Sequence, residues 1–317
     1  RGHTITVKAI DNAGNSDSAT ITVYVNNSEA ITWQKTYGGS NYDAAHFIQQ
    51  TTDGGYIVAG WTDSSGAGLS DVYILKLDAS GNATWTKTFG GSYDDEAFSI
   101  QQVSDGGYIV AGTKDPTGSG YYDAYILKLD ASGNATWQKT FGGNYDDWAY
   151  SIQQTTDGGY IVAGWTGSSG AGLSDVYILK LDENGNVTWQ KTYGGSDYDY
   201  AYSIQKTTDG GYIVAGETGS FGAGGSDAYV LKLDANGELL WQKTFDESSS
   251  DGAYSIQQVP DGGYIVAGWT YSSGAGYYDV YILKLDASGN ETWQKTYGGN
   301  NNDYARSIQQ VPDGGYI

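Results

Sequence analysis

The chain has 317 residues, in which 37 acidic side chains outnumber 16 basic ones for a net charge of −21. Nucleic acids and anionic membrane surfaces are held through Lys and Arg, so this balance excludes both as expected partners of the segment. Cys and Met are absent, which rules out disulfide scaffolds and thiolate metal sites.

The first elements are two alternating runs, His3 to Ile10 and Ala19 to Val25, separated by the turn residues Asp11-Asn12-Ala13-Gly14-Asn15. Alternation of period two on both sides of a turn predicts a β-hairpin. This pair resembles the last two strands of the immunoglobulin-like modules of large bacterial and archaeal surface proteins. Residues 1–27 therefore read as the end of such a module, with Asn26 to Ala30 as a linker, and residues 28–317 as a second region.

That second region is a repeat. Trp33, Trp85, Trp137, Trp189, Trp241 and Trp293 recur every 52 residues, each inside the same phrase, such as Thr136-Trp137-Gln138-Lys139-Thr140-Phe141-Gly142-Gly143. A fixed period of this size means stacked identical units. Each unit carries four strand-like runs. In the second they are Ala97 to Gln102, Tyr108 to Gly112, Ala124 to Leu129 and Thr136 to Phe141. A Ser-Asp-Gly-Gly turn joins the first two runs, and Asp130-Ala131-Ser132-Gly133-Asn134 joins the last two. No window has helical periodicity.

Both faces of these runs are apolar. Val72 and Ile74 share one face, and Tyr73, Leu75 and Leu77 the other. A sheet wet on one side alternates apolar with polar. The predicted fold is therefore all-β, a β-propeller whose four-stranded blades cover one another radially, rather than a linear solenoid. Five blades are complete and a sixth is begun and truncated. Thr32 to Tyr37 reads as a leading fourth strand able to close a ring of six or more blades. Because the chain begins at Arg1 and stops within a repeat, it reads as a piece of a longer protein.

The phrases Asp95-x-Ala97-x-Ser99-Ile100, Asp105-Gly106-Gly107-Tyr108-Ile109-Val110-Ala111-Gly112, Asp123 to Asp130 and Trp137 to Gly143 resemble the β-propeller repeats of secreted bacterial and archaeal proteins often called SBBP repeats. The resemblance covers Ile31 to the end. It implies an extracellular or cell-surface setting and little defined biochemistry.

Any residue of the repeat exists five or six times, so a site belongs where units differ. His3 and His46 are the only histidines, and no nucleophile–histidine arrangement, phosphate-cradling loop or HExxH motif is present. An enzyme is not expected. The loops between second and third strands, and between units, differ most. Trp61, Trp165 and Trp269 alternate with Thr113 and Glu217, Tyr121-Tyr122 and Tyr277-Tyr278 replace Leu69-Ser70, and Trp148 follows Asp146-Asp147. Aromatics beside Asp, Asn and Gly suit stacking on sugar rings, so Trp61, Trp148, Trp165, Trp269, Tyr121, Tyr122, Tyr277 and Tyr278 are the candidate ligand-binding residues. The alternative is packing between blades.

Asp146, Asp147, Asp197 and Asp199 are candidate metal ligands that leave Ca²⁺ open, although no unit matches a D-x-[DN]-x-[DN]-G loop and turn chemistry accounts for such acids. No other cofactor is implied. Sequons at Asn26, Asn82, Asn134, Asn186 and Asn290 are candidate glycosylation sites. The expected function is a non-catalytic adhesion or binding platform for polysaccharide or a surface glycoprotein, with no membrane contact by this segment. The runner-up is a purely structural envelope spacer. A carbohydrate-active enzyme would need a distinctive carboxylate pair.

Overall fold

The computed structural model describes the backbone of His3–Ile10 and Ser16–Val23 and, with side chains, residues 33–245, 249–271, 273–274 and 277–317. The chain divides at Thr36 and Tyr37 into two compact units. In the first, His3–Ile10 pairs antiparallel with Ser16–Val23, from His3 opposite Val23 to Ile10 opposite Ser16. The second strand thus starts three residues before the alternation suggested. The turn between them, the linker and Asn26 lie outside the described residues.

The second unit holds five four-stranded sheets in series, each an antiparallel meander in chain order. They run Asp43–Phe89, Asp95–Phe141, Asp147–Tyr193, Asp199–Phe245 and Asp251–Tyr297, here blades one to five. In blade three the strands are Asp147–Gln154, Tyr160–Thr166, Asp175–Leu181 and Val187–Tyr193. Both faces of the two middle strands are buried. Ile109, Ala111, Ala124 and Ile126 of blade two pack against blade three, while Tyr108, Val110, Tyr125, Leu127 and Leu129 pack against blade one. The two-sided apolar pattern of the sequence therefore has its cause here. Each blade is a middle layer.

The first strands lie innermost, stacked on one another from blade to blade, and the fourth strands are the most exposed. An inner strand leaves N–H groups on its free edge, and unpaired edges are costly. The preceding blade covers them. Ser99 Oγ accepts from Ile152 N–H at 3.4 Å and Gln101 Oε1 from Gln154 N–H at 2.6 Å. The same pair of bonds recurs from Ser151 and Gln153 to blade four, and from Ser203 and Gln205 to blade five. This is what the Gln-rich first strands are for.

The recurring Trp packs rather than binds. Trp137 sets its edge against Tyr160 of the next blade, ring centroids 5.9 Å apart, and covers the Gly185 turn. Residues 33–37, expected as a leading fourth strand, form no ladder, since no described strand pairs with them; Thr32 lies outside the described residues. At the other end, the sixth unit forms only a turn with a bridge between Gln310 and Tyr316, packed on blade five through Ile308. The free face of blade one leaves Ile48 57% exposed, whereas its counterpart Ile100, covered by blade one, is 1% exposed.

Candidate binding site at the channel and loop face

Each first strand carries a bulge at the same place. The register of blade three shifts between Ala149 and Ser151, which leaves Tyr150 unpaired, and blades one, two, four and five repeat this at residues 46, 98, 202 and 254. A bulged residue is turned out of the ladder, and here it faces the channel. The result is a continuous ladder of rings: His46 on Phe98 at 5.1 Å, Phe98 on Tyr150 at 4.9 Å, Tyr150 on Tyr202 at 5.3 Å and Tyr202 on Tyr254 at 5.1 Å. Arg306 completes it, its guanidinium 4.1 Å from the centre of the Tyr254 ring.

Just above the ladder, one residue of each first strand pairs with one of the second. These pairs are Ala44 with Trp61, Glu96 with Thr113, Trp148 with Trp165, Tyr200 with Glu217 and Gly252 with Trp269. Trp148 stacks on Trp165 at 5.9 Å, and Trp165 meets Tyr200 of the next blade at 5.1 Å. Two carboxylates stand among these rings. The hydroxyl of Tyr202 donates to Glu217 Oε1 at 2.8 Å. Burial pushes the Glu217 carboxyl above its usual range, with that hydrogen bond opposing. Burial likewise raises Glu96, helped by Asp94 and Asp63. His46 is depressed by burial and by the charge of Arg306.

The candidate residues named from sequence thus separate into two layers. Trp61, Trp148 and Trp165 are half-buried at the channel mouth, and Trp269 is buried, 8% exposed, against Tyr278 and Tyr304. Tyr122 packs half-buried on Trp148, and Tyr278 on Trp269. Tyr121 and Tyr277 stand outside them, 48% and 62% exposed. They belong to a rim that includes Tyr42, Tyr93, Tyr145 and Tyr198, all on loops at the same end of the blades. Tyr121 meets Tyr145 of the adjoining loop edge to face at 5.9 Å. The rim tyrosines other than Tyr121 and Tyr277, and Glu217, were not singled out from sequence. The signal for Glu217 was its departure from Trp at equivalent positions.

The candidate metal ligands are engaged in loop structure. Asp147 Oδ2 accepts from Gly143 N–H at 2.8 Å and from Ser168 Oγ at 2.7 Å; Asp199 Oδ2 accepts from Gly195 N–H and Ser220 Oγ. Asp146 Oδ1 accepts from Tyr122 N–H, and Asp197 Oδ1 from Tyr198 N–H. No group of three or more His, Cys, Asp or Glu able to hold a metal occurs among the described residues.

The sequon residues also have structural duties. The exposed Asn134 donates Nδ2 to Asp130 at 3.0 Å and accepts Lys87 Nζ of the preceding blade at 3.1 Å, while Thr136 Oγ1 donates to Lys128 O at 3.2 Å. Asn186 and Asn290 repeat both bonds, and Asn82 the bond to Asp78. In the unit without a sequon, Glu238 takes the Lys191 ammonium instead. A lysine acceptor is what this turn position requires.

A family model described as "Domain of unknown function (DUF5122) beta-propeller" matches residues 155–187, 207–239 and 260–290. The chain is a β-propeller repeat protein. Among curated proteins it is similar to the regulatory protein FlaEY of Caulobacter vibrioides, 24% identical over 249 residues, which are 70% of this chain and 26% of that protein. The chain thus spans about a quarter of that relative's length. Among solved structures it is similar to the Neurospora crassa Pan2 WD40 domain, at 12% identity and a TM-score of 0.49, covering 85% of this chain and 83% of that one. It is also similar to Sqt1 from Chaetomium thermophilum, at 13% identity and a TM-score of 0.48, covering 85% and 64%. An endo-1,4-beta-xylanase from Bacteroides thetaiotaomicron VPI-5482 shares 11% identity with a TM-score of 0.44, covering 80% and 93%.

Proposed function

We propose that this propeller is a non-catalytic binding platform, secreted or displayed at a cell surface, and that its recognition face is the tyrosine rim. The ligand is a neutral polysaccharide or the glycan of a surface glycoprotein. Tyr121 and Tyr145 carry this reading, since they come from two separate loops, meet each other, and are 48% and 57% exposed. An aromatic ring left in water costs free energy, and contiguous exposed apolar surface marks a contact site. Around them the loops offer Asn, Ser, Gly and Asp, which bond hydroxyls. The acidic charge disfavours polyanionic glycans.

The spacer reading rests on the bonds that every blade repeats, which a rigid stalk would need and a receptor would not. Affinity electrophoresis through gels containing soluble neutral polysaccharides separates the two. Retardation of the wild-type chain, lost on Tyr121→Ala with Tyr145→Ala at unchanged melting temperature, is the expected result. Equal mobility of both proteins in every gel supports the spacer.

A further inference from the structure

Most of this molecule is the same blade copied, so departures from the copy identify places with a purpose of their own. At the position held by Trp61, Trp165 and Trp269, blade four has Glu217. At the position held by Trp148 and Tyr200, blade five has Gly252. The two departures meet in space. A Cβ on residue 252 would lie 2.9 Å from Glu217 Oε2 and 2.6 Å from Trp269 Nε1, so the missing side chain is what admits the carboxylate.

The Glu217 carboxyl stands among rings with a hydrogen bond from Tyr202, and no ion pair to it occurs among the described residues. A half-buried carboxylate with no cation beside it is costly to keep ionised. The ladder beside it already binds a cation of the chain itself, for the Arg306 guanidinium lies 4.1 Å from the centre of the Tyr254 ring, one ring further from Tyr202. Faces of Tyr and Trp attract ammonium and guanidinium groups, more strongly where water is scarce. A divalent metal ion, which needs six or more oxygens, is poorly served by one carboxylate among rings.

We propose that Glu217, Tyr202, Tyr254 and Trp269 form a receptor in the channel for an organic cation, a guanidinium or alkylammonium group, separate from the tyrosine rim. The carboxylate supplies the counter-charge and the rings supply their π faces. Filling the site takes a proton from the carboxyl when it is protonated beforehand, so binding releases a proton to buffer.

Titration calorimetry of the chain with methylguanidinium chloride, with acetyl-glycyl-arginyl-glycinamide and with urea tests this. Urea has the shape of guanidinium without its charge. Saturable binding of either cation, with none of urea, is expected, and Glu217→Gln weakens it at least tenfold. Tighter binding of the peptide assigns the site to a protein side chain, and tighter binding of methylguanidinium to a free small molecule; each supports the receptor. Glu217→Trp, which installs the residue that three other blades carry there, is the second variant and abolishes binding with the melting temperature retained. No heat with either cation, equal binding of urea, or undiminished affinity in both variants overturns the proposal.

Discussion

Lys180 Nζ lies 2.8 Å from Asp157 Oδ2, joining the third strand of blade three to the turn between its first two strands. The lysine is buried, 5% exposed, while the aspartate side chain is 63% exposed. All five blades repeat the pair, as Lys76–Asp53, Lys128–Asp105, Lys232–Asp209 and Lys284–Asp261. The partners are therefore unequal. Asp157→Ala strands an ammonium in the blade and costs about 2–4 kcal/mol, whereas Lys180→Met leaves a carboxylate that water can reach and costs about 1 kcal/mol or less. Urea unfolding of the two variants measures the difference, and equal losses would contradict this asymmetry.

The pairs and the blade junctions respond to pH in opposite senses. Burial works against ionisation of Asp157 and Asp209, yet bonds from Lys180 and Lys232 hold both at about 2. Their contribution is complete above the unfolded value near 3.8 and is lost as pH falls toward 2. Asp123 and Asp175 are raised instead, first by burial; Asp147 adds to the rise at Asp123, and Asp199, against hydrogen bonds from Gly172 and Ala171, at Asp175. Their contribution is complete below the unfolded value and is lost as pH rises through the raised one. The melting temperature should therefore fall as pH drops toward 2 and fall again as pH rises through the raised carboxyls of Asp123 and Asp175. Asp123→Asn with Asp175→Asn should flatten only the alkaline side. A wild-type melting temperature highest at pH 8 would contradict this.

Two glycines of positive φ separate backbone strain from crowding. Gly158 has φ of 85° with open space where a Cβ would go, while Gly185 has φ of 74° and a Cβ there would lie 2.9 Å from the Trp137 ring. Gly158→Ala should cost about 1 kcal/mol for its left-handed backbone alone. Gly185→Ala must also displace the Trp and should cost about 2–4 kcal/mol. Equal costs in thermal unfolding would remove Trp137 from the inter-blade packing.

Removal of divalent cations should leave the fold unchanged. Backbone N–H and Ser hydroxyl groups already occupy Oδ2 of both Asp147 and Asp199, and a divalent cation needs six or more oxygens. Calorimetry before and after dialysis against chelator should agree within about 1 °C, a shift below that of a ~1 kcal/mol change. A loss of several degrees would place structural metal in these loops.

The blade was legible because its causes are local. The two-faced alternation around Ile74, the Asp-Gly-Gly turns and the 52-residue Trp each announce themselves within one unit. What depends on two blades was not. Nothing in Asn134 reveals that it receives Lys87, 47 residues earlier, and this bond gives the repeated Asn a structural duty. The bulge that turns Tyr150 into the channel leaves the alternation on either side intact. Trp269 and Tyr277 look alike as loop aromatics, but one ends on a buried strand and the other on an exposed loop. The leading strand at 33–37 failed because pattern predicts a strand while only a neighbour can make one.

The claim that recognition belongs to one end of the blades is tested most directly by amide hydrogen exchange with and without a retarding polysaccharide. Protection should appear in the loops around Tyr93, Tyr121, Tyr145 and Tyr198 and be absent from the Asp-Gly-Gly turns at the opposite end. Protection centred on those turns, or none anywhere at saturating polysaccharide, would contradict the account.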